Sequence, residues 1–241
     1  GVVSAVGEGV DPARVGERVC FLAARGVGTW AEKIVLPAEL AVPIPDDLSF
    51  VDAASLPLAG LTAWILLAAA PPITGGTRIL VHAGAGGVGS LAVQIARARG
   101  AEVAATCSSR NAELVRSLGA GTVIPYDTAS FEDEVSDMDI VFDAVGGDVH
   151  RRSYGVLTRG GTMVCLSAEP FEDRGAEFGV TVAKPVVQPD PAALAELVGL
   201  VAGGRIRPVV ERTMPFRDFA AAQQLSEAGG VRGKVVLDLT L

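Results

Sequence analysis

Residues 78–100 read RILVHAGAGGVGSLAVQIARARG, and this stretch decides the fold. The apolar run 79–81 is typical of a buried parallel strand, and the apolar residues after the loop recur at the spacing of one helical face. Between strand and helix lies a GxGxxG loop formed by Gly84, Gly86 and Gly89. This context predicts a dinucleotide-binding site, because the start of the helix presents free amides to a pyrophosphate.

Each glycine of the loop has a predicted role. Gly84 permits the tight turn, Gly86 lets the backbone approach the pyrophosphate, and Gly89 lets the helix pack close to the strand. The alternative is an ordinary glycine-rich turn without a ligand. The strand-to-helix context favours the nucleotide.

Composition excludes several classes of protein. The net charge of −8 over 241 residues disfavours a nucleic acid or an anionic membrane as partner. No apolar run reaches membrane-spanning length, and no basic and apolar leader is present. Cys20, Cys107 and Cys165 are few and far apart, which predicts neither a disulfide framework nor a metal cluster and favours the cytoplasm.

Two regions differ in their pattern along the chain. The opening is predicted to be β-rich, with strands at 1–7, 19–22 and 31–36, and the polar, proline-rich residues before 50 form a plausible boundary. An apolar helix pair is predicted over 51–70. Strands and helices then alternate, which predicts an α/β fold with a doubly wound parallel (Rossmann) sheet and its ligand at the carboxyl ends of the strands.

The alternating elements are assigned from apolar runs and from the glycines that follow them. The predicted strands are 79–82, 102–106, 122–124, 139–143 and 162–166, with helices at 88–99, 111–118 and 148–157. Further along, helices are predicted at 191–201 and 216–228, and strands at 205–210 and 234–239.

The end of the second strand of such a sheet decides between NADH and NADPH, because it meets the adenosine ribose. Here no carboxylate follows that strand until Glu113, whereas Ser109 and Arg110 offer a hydroxyl and a guanidinium to a 2′-phosphate. This favours NADPH. In the alternative, Ser109 caps a helix and Arg110 is a solvated surface residue.

The two histidines and one aspartate of this region are not predicted to be catalytic. His82 ends a buried strand and is expected to be a structural histidine with satisfied hydrogen bonds. His150 is expected to be an exposed helix residue. Asp143 follows a strand, where it could bond the backbone or a ribose.

Nine short segments together resemble the medium-chain dehydrogenase/reductase superfamily, in its zinc-independent quinone oxidoreductase and enoyl reductase branch. These are GVV at 1–3, VG at 6–7, GERV at 16–19, AE at 31–32, LTAW at 61–64, HAGAGGVG at 82–89, LGA at 118–120, FDAVGG at 142–147 and GKVVL at 233–237. The resemblance runs essentially from end to end.

This resemblance implies two domains. Residues 1–50 and 186–241 would form a β-rich GroES-like catalytic domain, incomplete at its N-terminus because family members have a further stretch before the first strand. Residues 51–185 would form the Rossmann domain, with the active site in the cleft between the two. Family members commonly pair through a sheet edge, so the resemblance also implies a homodimer.

The resemblance also implies a set of cofactor-binding residues, although no catalytic residue is identified. Their expected contacts are with the nicotinamide, the pyrophosphate, the 2′-phosphate or the cofactor groove. They are Thr62, Ala85, Gly86, Gly87, Val88, Gly89, Ser109, Arg110, Tyr126, Val145, Leu166, Ser167 and Lys234.

Many members of the superfamily use a catalytic zinc, which needs three protein ligands. The downstream zinc cysteine of those relatives would fall close to Leu58, where this chain has no cysteine. The lobe of a structural zinc would follow Val19, yet Cys20 is alone there. The prediction is therefore that no metal is bound.

The implied reaction is hydride transfer from NADPH to a small-molecule quinone or α,β-unsaturated carbonyl. An alternative is an NADPH-dependent enoyl-thioester reductase of lipid or polyketide synthesis, whose substrate entrance would use Arg205 and Arg207. A non-catalytic NADPH-binding protein is a third reading. A methyltransferase is disfavoured because the second strand lacks an acid at its end, and a P-loop is excluded because no glycine loop ends in Lys-Ser or Lys-Thr.

Overall fold

The computed structural model describes residues 1–166 and 171–241. The chain divides into two compact units. One comprises Gly1–Leu61 with Val187–Leu241, and the other comprises Thr62–Val186.

The second unit is built on a six-stranded parallel sheet. Its strands are β3 (Arg78–Val81), β4 (Glu102–Cys107), β5 (Thr122–Pro125), β6 (Met138–Asp143), β7 (Leu157–Cys165) and β8 (Thr181–Ala183). They lie in the order β5-β4-β3-β6-β7-β8. This arrangement confirms the predicted doubly wound parallel sheet.

Helices connect these strands. They are α3 (Gly87–Ala98), α4 (Ala112–Ser117), α5 (Phe131–Glu134), α6 (Gly147–Ser153) and α7 (Gly175–Phe178). Gly100 follows the end of α3 with φ +98°, a conformation that glycine adopts without strain. Most residues of the central strands are buried because helices cover the sheet, and Leu80, Val141 and Met163 belong to one apolar core.

The direction in which successive strands are added to the sheet reverses between β3 and β6. From β3 the chain proceeds outward through β4 and β5, whereas β6, β7 and β8 proceed outward on the other side. The connections that leave β3 and β6 therefore diverge. Ligands of open parallel sheets bind in the crevice outside the carboxyl ends of the strands at such a point.

The first unit contains little regular β-structure. Its elements are β1 (Val19–Cys20), β2 (Val42–Pro43), α1 (Phe50–Ser55), α8 (Pro191–Ala202), β9 (Val210–Pro215), α9 (Phe219–Glu227) and β10 (Lys234–Asp238), and α2 (Pro57–Ala68) spans the boundary of the two units. Its only sheets among the described residues are the pairs β1-β2 and β9-β10. A GroES-like domain is not evident from these elements.

Three of the predicted strands in this unit were wrong. Residues 1–7 contribute one isolated bridge, between Val2 and Arg18, and residues 31–36 form no strand. Among the described residues no strand pairs with 31–36, so nothing completes the backbone hydrogen bonds of a strand there, and Val35 is 97% exposed. The strand predicted at 205–210 begins only at Val210, because the amides of Arg205 and Ile206 bond to the carbonyl of Leu200 at the end of α8.

All three cysteines are unpaired and buried. In the part of the chain that the structure describes, no helix combines the length and the apolarity that a membrane span requires.

Candidate dinucleotide site

The loop between β3 and α3 has its strained residue at Ala83. Ala83 has φ +56°, a left-handed conformation that costs a non-glycine residue energy, whereas Gly84 has no positive φ. The predicted role of Gly84 was therefore wrong. A Cβ on Gly84 would lie 2.9 Å from the Cβ of Ala105, so Gly84 is needed for close packing against β4 rather than for the turn.

The two later glycines keep the loop close to the start of the helix. A Cβ on Gly89 would lie 2.2 Å from the carbonyl oxygen of Ala83, which only displacement of the backbone could relieve. A Cβ on Gly86 would lie 3.3 Å from the same oxygen. Gly89 therefore has the predicted role of close helix–strand packing.

The start of α3 offers amides to an anion. Gly86 is the N-cap, and it has no side chain that could accept a hydrogen bond from the first turn. The amides of Gly87, Val88 and Gly89 have no intrahelical acceptor, since the first turn of a helix leaves its N–H groups unpaired. The positive end of the helix dipole adds to their attraction for a phosphate. This loop fits the pyrophosphate of a dinucleotide.

Most of the predicted site residues follow the strands at one edge of the sheet. They are Ala85, Gly86, Gly87, Val88 and Gly89 after β3, Ser109 and Arg110 after β4, Tyr126 after β5, Val145 after β6 and Leu166 after β7. Their strands are parallel and adjacent in register, so their carboxyl ends meet at the same edge. Their contacts with a cofactor stay a prediction.

The other three predicted residues lie elsewhere or outside the described chain. Thr62 is buried within α2. Lys234 begins β10 in the first unit, where its amide donates to the carbonyl of Val209 at 2.9 Å. Ser167 lies outside the described residues.

The sequence did not predict that a carboxylate lies beside Ser109. Asp127 follows β5, which is paired with β4, and its Oδ1 accepts hydrogen bonds from the Ser109 amide at 2.9 Å and the Ser109 hydroxyl at 2.6 Å. The hydrogen bond from that hydroxyl lowers the pKa of Asp127 below its usual value. Asp127 is far from Ser109 in sequence, and only the pairing of β4 with β5 brings the two residues together. A local sequence pattern could not predict this contact.

Asp143 shapes the loop after β6. Its side chain is fully buried, and its Oδ1 accepts from the amides of Val145 at 2.9 Å and Gly146 at 2.8 Å. Its other oxygen accepts from Nδ1 of His150 at 2.8 Å. The aspartate therefore bonds the backbone and a histidine, and it fixes the loop that presents Val145 at the edge of the sheet.

The prediction that His150 is exposed was wrong. It is 1% exposed, and its Nε2 lies 3.1 Å from Oη of Tyr154 and 3.2 Å from the carbonyl oxygen of Glu172. Tyr154 in turn accepts from the amide of Arg174 at 3.0 Å. The helix face that carries His150 packs inward because Asp143 supplies a buried partner, which periodicity alone does not reveal.

His82 is a buried histidine with both ring nitrogens satisfied. Ser153 donates its own proton to the carbonyl of Val149, so its hydroxyl oxygen accepts from Nε2 of His82 at 2.9 Å. Nδ1 lies 3.1 Å from the hydroxyl of Thr106, which accepts from the Ala83 amide and can therefore donate to the ring. This arrangement suits the neutral ring, and burial lowers the pKa of His82 to about 4.

This lowered pKa predicts a loss of stability in mild acid. The unfolded chain protonates His82 at pH 6.5, whereas the folded chain does so only near pH 4, so the unfolded state binds more protons between these values. We expect the free energy of unfolding to fall by on the order of 3 kcal/mol across this range. Urea unfolding at a series of pH values measures it.

The matched variant is His82→Gln, which keeps an N–H donor without a titrating ring. Its free energy of unfolding should depend less on pH between 6.5 and about 4 than that of the wild type. The same pH dependence in both proteins would contradict this role of His82.

The described residues do not fit a metal ion. Among residues 1–166 and 171–241, no group of three or more histidine, cysteine, aspartate and glutamate side chains could hold one. Cys20 is buried and unpaired in β1, and Leu58 stands in α2. The absence of zinc stays a prediction for the whole protein.

Comparison with known proteins gives the family. The family profile described as zinc-binding dehydrogenase matches residues 118–237. A 2-haloacrylate reductase from Burkholderia sp is 32% identical, and the match covers 98% of this chain and 78% of that protein.

Two other relatives are larger than the matched region. Mouse mitochondrial NAD(P)H oxidoreductase RTN4IP1 is 33% identical over 88% of this chain and 61% of its own length. A mycocerosic acid synthase-like polyketide synthase from Mycolicibacterium smegmatis is 32% identical over 99% of this chain and 12% of its own length. The chain thus spans about three fifths of the first relative and a small part of the second.

Solved structures agree with this assignment. Quinone oxidoreductase from Coxiella burnetii has a TM-score of 0.89 at 32% identity, covering 97% of this chain and 75% of that one. Escherichia coli quinone oxidoreductase complexed with NADPH has a TM-score of 0.89 at 30% identity, covering 98% and 79%. The CurK enoyl reductase has a TM-score of 0.87 at 30% identity, covering 99% and 76%. The chain therefore belongs to the medium-chain dehydrogenase/reductase superfamily.

Proposed function

We propose that the protein is an NADPH-dependent oxidoreductase that reduces a quinone or an α,β-unsaturated carbonyl without zinc. The observation that supports it best is the loop at Gly86 and Gly89, where a Cβ would crowd the Ala83 carbonyl and the N-cap of α3 has no side chain to cap the first amides. The NADPH-bound Escherichia coli relative supports the choice of cofactor.

The chain's own residues would bind and orient the cofactor. Gly87, Val88 and Gly89 would donate amides to the pyrophosphate, and Arg110 would hold the 2′-phosphate with its guanidinium. Bound NADPH supplies the hydride that such a reaction needs. Because negative charge develops on the substrate oxygen, donors must face it, and for a quinone water can supply the proton.

Other predicted residues, farther from the loop, complete the proposal. Thr62, Leu166 and Ser167 would lie near the nicotinamide. Lys234 would reach the cofactor from β10, and Tyr126 would border the 2′-phosphate. Tyr126 is 64% exposed and follows β5, so its ring is accessible at the edge where the adenosine would bind. No residue is assigned as general acid.

An enoyl-thioester reductase is the second candidate. The matches to a polyketide synthase and to the CurK enoyl reductase favour it, since both are similar over 99% of this chain. The two candidates share the cofactor and the hydride and differ only in the acceptor. A third reading, in which NADPH binds without turnover, predicts no oxidation with any acceptor.

One assay distinguishes these candidates. The full-length protein is mixed with NADPH and with a quinone, an enal or an enoyl thioester, and the nicotinamide absorbance is followed. Rapid oxidation with the quinone or the enal supports the proposal. Turnover with the thioester alone would favour the second candidate, and binding without oxidation by any acceptor would favour the third. Activity that disappears with a zinc chelator would contradict the metal-free proposal.

Replacing Arg110 with Ala should weaken the binding of NADPH much more than the binding of NADH. A charge-assisted hydrogen bond to a phosphate contributes about 1.5–3 kcal/mol, so the NADPH dissociation constant should rise about tenfold to a hundredfold. Calorimetric titration of both nucleotides measures it. Arg116→Ala, an exposed cation near the end of α4, is the control and should change neither affinity. Equal losses for the two nucleotides would contradict the phosphate assignment.

We also propose that the protein acts in the cytoplasm as a homodimer. The unpaired cysteines suit a reducing compartment, and the pairing follows from the family resemblance alone. Light scattering of the full-length protein measures the oligomeric state, and a monomeric mass would contradict the dimer.

A further inference from the structure

The ends of β4 and β5 bring an acid to the place where the adenosine ribose is expected. These strands are parallel neighbours, with Cys107 opposite Pro125, and the amide of Tyr126 donates to the carbonyl of Cys107 at 2.9 Å. The next residue, Asp127, is thereby held against Ser109. This contact depends on the pairing of the two strands and not on proximity in sequence.

The Ser109–Asp127 contact involves every proton that Ser109 can donate. Its hydroxyl donates to Oδ1 of Asp127 at 2.6 Å, and its amide donates to Oδ1 at 2.9 Å and Oδ2 at 3.1 Å. A serine hydroxyl has a single proton. A phosphate oxygen that accepts a hydrogen bond from this hydroxyl must therefore displace Asp127 as its acceptor.

Charge adds to this competition. Both residues are exposed, and the bond from Ser109 lowers the pKa of Asp127, so the carboxylate is anionic at neutral pH. A 2′-phosphate beside Ser109 would be a like charge close to that carboxylate, which is unfavourable even in water. The 2′-hydroxyl of NADH has no charge and can donate as well as accept a hydrogen bond. A carboxylate therefore opposes the binding of NADH much less than that of NADPH.

We propose that Asp127 is a specificity-determining residue that reduces the preference for NADPH by holding the Ser109 hydroxyl and repelling the 2′-phosphate. Arg110 attracts that phosphate from the same loop, and the measured preference is the balance of the two. This inference rests on the proposed function, because it concerns the adenosine end of the same cofactor site.

The test measures binding, not activity. The dissociation constants of NADPH and NADH are determined by calorimetry for the wild-type full-length protein and for Asp127→Asn, which removes the charge at nearly constant size. We expect the ratio of the NADH constant to the NADPH constant to rise about fivefold to tenfold. Glu113→Gln, an exposed carboxylate of the first turn of α4, is the control and should change the ratio less than about twofold.

Two further variants show whether the effect passes through Ser109. In a Ser109→Ala background, Asp127→Asn should raise the ratio less than it does in the wild type, because the hydroxyl is no longer there to be released. Asp127→Ser provides a second neutral replacement and should behave like Asp127→Asn. Both positions are exposed, so loss of folding is not expected.

The outcomes separate this inference from the proposed function. If both nucleotides bind and the ratio is unchanged in Asp127→Asn, the role of Asp127 is wrong and the cofactor site stands. If Asp127→Asn weakens the binding of NADH more than that of NADPH, Asp127 instead recognises the ribose hydroxyl, which also overturns the inference. If the wild-type protein binds neither nucleotide, the proposed function and this inference fail together.

Discussion

Replacing Gly89 with Ala is expected to lower the free energy of unfolding by about 3 kcal/mol or more. The new Cβ would lie 2.2 Å from the carbonyl oxygen of Ala83. Neither atom is at the end of a flexible side chain, so α3 must move away from β3 or the loop must change conformation. Ala83 already has φ +56°, which leaves its carbonyl little freedom to rotate without further strain.

Urea unfolding of the variant and of Gly155→Ala measures this effect. Gly155 is the matched control, because it lies in the same unit, has no positive φ and has no atom within 4 Å of an added Cβ. We expect Gly155→Ala to change stability by less than about 1 kcal/mol. Equal stabilities for Gly89→Ala and the wild type would show that the helix and the loop do not pack as described.

Replacing Asp143 with Ala should cost about 3–5 kcal/mol of stability. The change removes the acceptor of three hydrogen bonds, from the amides of Val145 and Gly146 and from Nδ1 of His150. The side chains of Asp143 and His150 are 0% and 2% exposed, so water cannot replace the lost carboxylate without opening the fold. The loop after β6 should also lose its fixed conformation.

Thermal or urea unfolding measures this loss, and two variants bracket it. Asp143→Asn keeps the size and one acceptor oxygen and should be intermediate. Asp148→Ala removes an exposed partner of Arg151 and should cost less than about 1 kcal/mol, as surface ion pairs do. A cost for Asp143→Ala as small as that for Asp148→Ala would contradict the described network.

The sequence predicted five of the six strands of the sheet in the second unit, because the signals for these strands are local. The apolar run before Gly84 and the helical spacing after Gly89 lie within one strand–loop–helix connection. Gly100 stands where the helix must end. These signals depend on neighbouring residues only, and the strand predicted at 79–82 and the helix predicted at 88–99 agree with β3 and α3 to within one residue. The short elements α5, α7 and β8 were not predicted.

What the sequence did not predict depends on distant pairing. Asp127 meets Ser109 only because β5 pairs with β4, and His150 is buried only because Asp143 lies opposite it. The apolar run that contains Val35 resembles a strand, yet no described strand pairs with it. Local patterns indicate which backbone conformation a segment favours, but they do not show which partner it finds.

The most direct test of the account is a calorimetric titration of NADPH into the full-length protein and its Gly86→Ala variant. A Cβ at Gly86 would lie 3.3 Å from the Ala83 carbonyl, so the variant should fold while its methyl group hinders the approach of the pyrophosphate. We predict saturable binding to the wild type and at least about tenfold weaker binding to the variant, which should unfold at a somewhat lower midpoint because the Ala83 carbonyl must shift slightly, yet remain folded at the titration temperature. Absence of NADPH binding to the wild type, or equal binding to both proteins, would contradict the claim that this glycine loop holds the cofactor.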